Sequence, residues 1–337
     1  MRKLFQALNK VIAEKKDSVL VTVINSSGST PRSTGAKMLI TKAGRVCGTI
    51  GGGAVEFRSE QLAQKVLEAK SVALEKFILA PNDIADLGMI CGGNVEVFFQ
   101  FISWQDPVIA EICSEVKNHF ELHQQCWLLT NIDETVTAKL GFFSEKTGFL
   151  GMVPGKVKEN QLTKGSSIIT VDEEKYYIES LVSPGKVYVF GGGHVSQALV
   201  PVLKSVDFYC VVVDDRSQFL TKELFPSADE RLEVDLSNIA ASIELTEDDY
   251  GVIMTRGHKF DYQLEEQLLR TKMRYIGVMG SKHKVATHIK KLQENGFSLE
   301  EINKAHMPIG MKIKAETPAE LAISVAGELI SIRASEK

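Results

Sequence analysis

Short apolar runs alternate with amphipathic stretches throughout the second half of the chain. The apolar runs are Val187–Phe190, Phe208–Val213, Gly251–Thr255 and Tyr275–Met279. Such runs are typical of strands that are buried on both faces of a parallel sheet. The segments between them, among them a helical pattern over Gln263–Arg270, have the length of crossover connections. The pattern therefore predicts a doubly wound, Rossmann-like α/β domain.

The first half has shorter connections and reads as an α/β domain of its own. Ser18–Asn25 is β-branched, and Ala36–Thr41 and Arg45–Ile50 form a hairpin pattern that turns at Lys42–Gly44. A helix is expected after Gly51. The other predicted elements are strands at Val72–Leu79, Val95–Ile102, Cys126–Ile132, Val136–Phe143 and Lys175–Ile178, and a helix over Val108–Leu122.

The tripeptide Ser183-Pro184-Gly185 interrupts both patterns. We therefore predict two domains, residues 1–183 and residues 184–337. Two helix starts are marked near the end of the chain, because Ser298 and Thr317 each precede a glutamate by three residues, as in a capping box. The second helix is expected to bury Leu321, Val325, Leu329 and Ile330.

Composition narrows the class of protein. The chain has 337 residues, of which 44% are hydrophobic and 24% charged, so it can build two packed cores. Its net charge of −4 argues against a nucleic-acid partner. The first residues form an amphipathic helix with Leu4, Phe5, Leu8, Val11 and Ile12 on one face, and no segment is long enough to span a bilayer. We expect a cytoplasmic protein without a membrane partner.

Cysteines and histidines give little indication of a metal site. The chain has an odd number of cysteines, and none of them has Cys-x-x-Cys spacing, which argues against disulfides and a cysteine zinc site. The five are Cys47, Cys91, Cys113, Cys126 and Cys210. His119 and His123 are one helical turn apart, but no third ligand accompanies them. A solvated helix surface is the preferred interpretation of that pair, and a metal site is the alternative.

A glycine loop follows the strand at Val187–Phe190. Gly191, Gly192 and Gly193 precede a helical pattern that begins at His194, an arrangement that places a phosphate at a helix N-terminus. Asp214, at the end of the next strand, is the candidate ribose acceptor. Ser196 replaces the third glycine of the dinucleotide fingerprint, and Pro201 predicts a bent or short helix. A purely structural glycine turn is the alternative.

Four further polar or glycine-rich loops carry candidate chemistry. Ser29 and Arg32 lie in a hydroxyl-rich loop suited to an oxyanion, and Gly51, Gly52 and Gly53 are a candidate anion nest. Cys91 is followed by Gly92 and Gly93, an arrangement that leaves room for a ligand at the thiol, and a packing role for this cysteine is the alternative. The basic loops add Arg256 and His258, and Gly280, Ser281 and Lys282. A solvated cationic surface is the alternative interpretation of these last two.

The order of these loops resembles the xanthine dehydrogenase accessory factor (XdhC/CoxI) family, and the resemblance spans nearly the whole chain. In the first half it rests on Ser27-Gly-Ser-Thr-Pro-Arg32, Gly35-Ala-Lys-Met38, Gly48-Thr-Ile-Gly-Gly-Gly53 with Glu56, and Cys91-Gly-Gly93 with Val95-Glu-Val97. In the second half it rests on Phe190-Gly-Gly-Gly-His-Val-Ser196, Asp214-Asp-Arg216, Arg256-Gly-His258 with Asp261, Ile276-Gly277 with Gly280-Ser-Lys282, and Pro308-Ile-Gly310 with Glu316-Thr-Pro318.

The resemblance implies an N-terminal α/β domain of the XdhC/CoxI type and a Rossmann-like C-terminal domain. It implies a cofactor chaperone rather than a catalyst, which binds molybdenum cofactor (molybdopterin), supports its sulfuration and delivers it to a xanthine dehydrogenase-type molybdenum hydroxylase. A cysteine desulfurase is the other implied partner. Independently of the resemblance, we expect a homodimer. Cys91 is then the candidate contact to molybdenum or sulfur, and the loop residues named above are the candidate cofactor contacts.

The sequence departs from the family pattern at three positions, and a second function is the alternative. Ala54 stands where relatives in one branch carry a cysteine, which puts a two-cysteine mechanism in doubt, and Lys312 and Lys314 replace an expected acidic residue and glycine. The alternative is an NAD(P)-dependent oxidoreductase that uses the Rossmann-like domain with NAD(P) or another nucleotide. No tyrosine of the chain is followed four residues later by a lysine, so the proton-relay pair of short-chain reductases is missing. Other reductases do not need that pair.

Overall fold

The computed structural model describes residues 1–28, 34–79, 93–133, 139–151, 157–182 and 185–335, with the backbone alone for His258 and Lys259. These residues form two compact units, Met1–Ser183 and Pro184–Lys337. The candidates Ser29, Arg32, Cys91 and Gly92 lie outside the described residues.

The first unit contains two antiparallel sheets of five strands each. The first sheet has the order β3-β2-β1-β5-β4, and its strands are β1 (Ser18–Gly28), β2 (Lys37–Thr41), β3 (Gly44–Gly48), β4 (Val72–Leu79) and β5 (Gly93–Ile102). The second has the order β8-β7-β6-β10-β9, and its strands are β6 (Trp127–Asn131), β7 (Leu140–Ser144), β8 (Gly148–Leu150), β9 (Ser166–Val171) and β10 (Glu174–Ser180).

In the described part of this unit, the helices that cover these sheets are α1 (Arg2–Ala13), α2 (Gly53–Ala69) and α3 (Pro107–Leu122). Strand β1 shows how they share the first sheet. Its Val19 and Val21 face the cluster that includes Val55 of α2, whereas Leu20 faces the cluster that includes Leu8 of α1. Alternate side chains of a strand point to opposite faces, so a strand buried on both faces must be apolar throughout.

The second unit is built on a parallel sheet of six strands in the order β13-β12-β11-β14-β15-β16. Its strands are β11 (Val187–Phe190), β12 (Cys210–Asp214), β13 (Glu230–Glu233), β14 (Tyr250–Ile253), β15 (Tyr275–Val278) and β16 (Ala305–His306). From β11 the chain builds the sheet in one direction, through β12 and β13, and from β14 it builds it in the opposite direction, through β15 and β16. The predicted doubly wound, Rossmann-like fold is confirmed.

Helices lie on both faces of this sheet, which therefore has two apolar clusters. The helices are α4 (His194–Ser205), α5 (His258–Leu269), α6 (Lys282–Glu294), α7 (Leu299–Ile302) and α8 (Pro318–Ala334). The capping boxes predicted at Ser298 and Thr317 are both formed. Short 3-10 turns occupy Glu159–Gln161, Ser217–Phe219 and Ile239–Ala241.

Several local predictions need correction. Helix α4 runs through Pro201 without interruption, so the expected shortening is absent from this described segment. Helix α8 buries Ala322, Val325 and Leu329, but Ile330 is 38% exposed. Strands β8, β9, β13 and β16 and helix α6 had no sequence prediction. Among the described residues, no helix is both long enough and apolar enough to cross a membrane.

Candidate functional site

The candidate site of the second unit lies where the strand order of its sheet reverses. Strands β11 and β14 are neighbours, and the helices that follow them, α4 and α5, start just beyond their carboxyl ends. Each helix has a glycine as its N-cap, Gly193 or Gly257, and neither has a side-chain cap. Helix N-termini leave backbone N–H groups without intrahelical partners, so both ends favour negative charge. In open α/β sheets, ligands bind at this reversal.

The three glycines after β11 have different physical roles. Gly191 has φ of +108°, and a Cβ there would lie 2.4 Å from the carbonyl oxygen of Met254. A Cβ at Gly192 would lie 2.5 Å from the carbonyl oxygen of Phe219. Nothing lies within 4 Å of a Cβ placed on Gly193. The first two glycines are therefore required by the fold, and only Gly193 borders open space.

Ser196 takes the place of the third fingerprint glycine and is buried. Its hydroxyl donates a hydrogen bond to the carbonyl of Gly191. The side-chain amide of Gln197 similarly donates to the carbonyl of Gly192, at 3.1 Å. These contacts attach the first turn of α4 to the loop, so the serine maintains the close helix-to-strand packing that a glycine would otherwise allow.

The buried carboxylate of Asp214 stabilises the loop at Gly191–Gly193. Its side chain is buried, and Oδ2 accepts the N–H of Gly192 at 2.8 Å. Arg216 donates to the same carboxylate through its backbone N–H and its guanidinium, at 2.9 to 3.2 Å. Burial by itself would raise the pKa of Asp214, but the hydrogen bonds from Arg216 and Gly192 outweigh it and hold the pKa below its usual value. Its predicted ribose contact stays a prediction.

A cleft of about 220 Å³ lies beyond β14 and β15. It is lined by Met254, Thr255, Arg256, Gly257, Asp261, Met279 and Lys284. Arg256 is one of the predicted site residues and is half-exposed. One of its guanidinium nitrogens donates to Asp215 at 3.1 Å. Because Asp215 follows β12 and Arg256 follows β14, this ion pair spans the end of β11, which lies between those strands.

A buried ion pair forms the inner wall of the cleft. The ammonium of Lys284 contacts Oδ2 of Asp261 and also donates to the carbonyl of Met279, at 2.6 Å. The other oxygen of Asp261 accepts the N–H of Thr255 at 2.9 Å and its hydroxyl at 2.6 Å. Asp261 therefore connects α6 to the strand end that precedes α5.

Other predicted site residues lie at the starts of helices α4, α5 and α6. Ser281 is the N-cap of α6 and accepts the N–H of Lys284, and Lys282 is exposed on the first turn. A Cβ on Gly280 would lie 2.8 Å from Cδ of Lys284, so this glycine leaves room for the lysine stem. His194 is exposed at the start of α4, and His258 begins α5. Thus Lys284, in the same basic segment, is buried and paired rather than part of a solvated rim.

The glycine loop of the first unit already holds an internal anion. Oε2 of Glu56 accepts the N–H groups of Ile50 and Gly52, each at 3.1 Å, and the hydroxyl of Thr49. Arg45 pairs with the other oxygen. Burial alone would raise the pKa of Glu56, but the bonds from Thr49 and from the two N–H groups lower it overall. The predicted role of Gly51, Gly52 and Gly53 in ligand binding stays a prediction.

The interpretation of His119 as a solvated surface residue is wrong. It is buried in α3, its Nδ1 lies 2.8 Å from the carbonyl oxygen of Glu115, and its ring meets the edge of Phe142. Among the described residues, no three His, Cys, Asp or Glu side chains are grouped so that they could hold a metal ion. His119 is therefore a core residue.

Lys284 and Asp261 were not predicted to form a pair. One signal was available, since each lies in the first turn of a helix that follows one of two adjacent parallel strands. The carboxyl ends of such strands share one edge of the sheet, which brings the first turns of the following helices together.

Two family models match the chain. One, described as the XdhC Rossmann domain, matches residues 187–329. The other, described as the XdhC and CoxI family, matches residues 11–77. Their order along the chain corresponds to the two units.

Individual relatives match nearly the whole chain. A protein of Bacillus subtilis (strain 168) described as a probable xanthine dehydrogenase subunit is 24% identical, over 97% of this chain and 96% of its own. The molybdenum cofactor insertion chaperone PaoD of Escherichia coli (strain K12) is 21% identical, over 94% of this chain and 84% of its own. A crystal structure described as a xanthine dehydrogenase from Bacillus halodurans has a TM-score of 0.77, at 24% identity over 98% of this chain and 96% of its own. That structure supports the fold.

Proposed function

We propose, from the premise that this chain belongs to the XdhC and CoxI family, that it is an accessory protein in molybdenum-cofactor maturation. The observation that carries the proposal is its similarity to PaoD, which is named as a cofactor insertion chaperone and matches over 94% of this chain. In this role the chain binds the cofactor as cargo and performs no net catalysis.

Two features of the chain suit molybdenum cofactor as a ligand: the start of helix α4 and a cysteine thiol. Molybdopterin carries a phosphate, and the open backbone at Gly193 and the uncapped start of α4 favour an anion. A thiolate is a soft ligand for molybdenum and an acceptor for transferred sulfur. Burial raises the pKa of the Cys113, Cys126 and Cys210 thiols to about 12, which leaves them protonated at neutral pH. Partial burial also raises the pKa of the Cys47 thiol. We assign the thiol contact to Cys91, because the neighbouring Gly92 and Gly93 leave room for a ligand.

The finer parts of the proposal concern what happens to the cargo. We propose that the protein protects the cofactor while sulfur from a cysteine desulfurase is added to molybdenum. It then delivers the product to a xanthine dehydrogenase-type hydroxylase, acting as a homodimer in the cytoplasm. The similarity to a probable xanthine dehydrogenase component supports the class of client. The alternative, an NAD(P)-dependent oxidoreductase, is supported by the Rossmann topology alone, and fold does not determine function.

Cofactor retention by the full chain tests this function. The purified protein is incubated with molybdenum cofactor released from a donor enzyme and is then separated by gel filtration. Molybdenum and pterin are measured in the protein fraction, and activation of an apo-hydroxylase is measured in parallel. Cys91→Ser is compared with Cys47→Ser, a partly buried thiol outside the proposed contacts. We expect the parent and Cys47→Ser to retain and deliver cofactor, and Cys91→Ser to lose most of both activities.

Each possible result has a definite meaning. If the parent retains no molybdenum or pterin, the accessory role is wrong. Equal retention and activation by Cys91→Ser and the parent would remove the thiol contact and leave the role of the chain intact. Turnover of NADH or NADPH by the cofactor-free protein would favour the oxidoreductase instead.

A further inference from the structure

We propose that the cleft beyond β14 and β15 is a binding site for a phosphate-bearing ligand, with Lys284 as its fixed cation. The proposal concerns the chemistry of this cleft and holds whether or not the cargo is molybdenum cofactor. The sequence pattern places Lys284 in a basic loop, whereas the structure places it in the first turn of α6 and buries it against Asp261.

The position of the Lys284 ammonium is determined by its surroundings. Its stem packs over Gly280, where a Cβ would lie 2.8 Å from Cδ. Its ammonium is held between Asp261 and the carbonyl of Met279. An ammonium has three N–H donors, and these two contacts use two of them. With respect to the residues that the structure describes, one donor remains for a ligand in the cleft that Lys284 lines.

The cleft favours an anion over a cation. Both carboxylate oxygens of Asp261 are engaged, one by Thr255 and the other by Lys284. A metal ion would have to displace one of these contacts. The remaining charges are cationic, since Arg256 lines the same cleft and the uncapped N-terminus of α5 begins there, at Gly257. Arg256 also has guanidinium donors beyond the one bonded to Asp215.

The size of the cleft limits the ligand. Pockets for whole drug-sized molecules have volumes of about 300 to 1,000 Å³. At about 220 Å³ the cleft has room for a phosphate or diphosphate with a few adjoining atoms. The two methionines that line it, Met254 and Met279, form an apolar part of the wall. Lys284 itself is buried, so water screens its charge less than it would screen an exposed lysine.

The test is a titration of the full chain with inorganic pyrophosphate at low ionic strength, followed by calorimetry and by phosphorus NMR line width. The site variant is Lys284→Met with Asp261→Asn, which removes both buried charges together and leaves an amide oxygen at position 261 as an acceptor for Thr255. The matched control is Lys290→Met with Glu294→Gln, an exposed ion pair on the same helix, α6. Both double variants leave the net charge unchanged.

We expect the site variant to bind pyrophosphate at least about tenfold more weakly than the parent, and the control to bind as the parent does. Arg256→Gln changes a residue that is 48% exposed, so it does not depend on the core and should also weaken binding several-fold. The Arg256 result decides the question if the site variant does not fold. The proposal is overturned if the parent binds no pyrophosphate at about 10 mM. The proposal is also overturned if the site variant folds and binds pyrophosphate as tightly as the parent. If the site variant does not fold, the same affinity in Arg256→Gln overturns it.

Discussion

The backbone N–H of Gly192 donates a hydrogen bond to the carboxylate of Asp214, 2.8 Å away, across the ends of two neighbouring strands. Arg216 binds the same carboxylate from the other side. The acidic residue that the sequence suggested as a ribose acceptor therefore supports the glycine loop itself. This relationship determines what substitution of Asp214 should do.

We predict that Asp214→Asn lowers the free energy of unfolding by about 2 to 3 kcal/mol, because charge-assisted bonds to Gly192 and Arg216 are weakened. The pKa of Asp214 is below its usual value in the folded protein. Its contribution is therefore fully present above about pH 4, the unfolded value, and is lost as pH falls through the lower folded pKa. Urea unfolding between about pH 2.5 and 7 measures this. An equally steep loss of stability at low pH in Asp214→Asn would contradict the assignment.

The glycines of the same loop should separate folding from binding. Gly192→Ala is expected to destabilise the protein by about 1 to 3 kcal/mol, since its Cβ would overlap the carbonyl of Phe219. Gly193→Val should retain the fold and block approach of a phosphate to the start of α4. Thermal unfolding and titration with NADH, NADPH and pyrophosphate distinguish the two effects. Unchanged ligand titrations in folded Gly193→Val protein would remove the loop from the binding site.

A buried ion pair in the first unit should be sensitive to the loss of one partner. Lys37 of β2 pairs with Glu179 of β10, and both side chains are buried. Burial lowers the pKa of Lys37 and raises that of Glu179, with their mutual attraction opposing both shifts. Lys37→Met should cost about 3 to 5 kcal/mol, because it leaves an uncompensated carboxylate, and adding Glu179→Met should recover much of that loss.

Lys76→Met is the control for this prediction, because Lys76 pairs with Glu96 at the surface. It should change the free energy of unfolding by less than about 1 kcal/mol. Denaturant unfolding of the four proteins, the parent included, gives the comparison. A double variant less stable than Lys37→Met alone would show that the unpaired carboxylate of Glu179 is not the cause of the loss.

The buried thiols should react slowly with alkylating agents. The pKa values of Cys113, Cys126 and Cys210 are raised to about 12 by burial, so the reactive thiolate is scarce at pH 8. Iodoacetamide followed by peptide mass spectrometry should label these residues only after unfolding, and it should label Cys91 first in the folded chain. Early labelling of Cys210 would contradict its position in the core strand β12.

Local signals accounted for much of the fold. The apolar runs that became β11, β12, β14 and β15 are continuous in sequence, and the capping boxes at Ser298 and Thr317 use residues three positions apart. Side chains that far apart on a helix start interact whatever the rest of the chain does. Strand β9 was missed because its side chains are exposed or only half-buried, so it lacks a buried apolar run. Strand β16 was missed because its two residues form a strand only beside β15.

The sequence by itself determined the second unit's fold class, its glycine loop and the family resemblance, since these depend on residue types at close spacing. Only the tertiary structure decided that Asp214 supports Gly192, 22 positions away, and that Lys284 pairs with Asp261, 23 positions away. The physical reason is that a charged side chain has no assigned partner until strand pairing brings distant segments to one edge of a sheet. Burial then makes that partner energetically necessary.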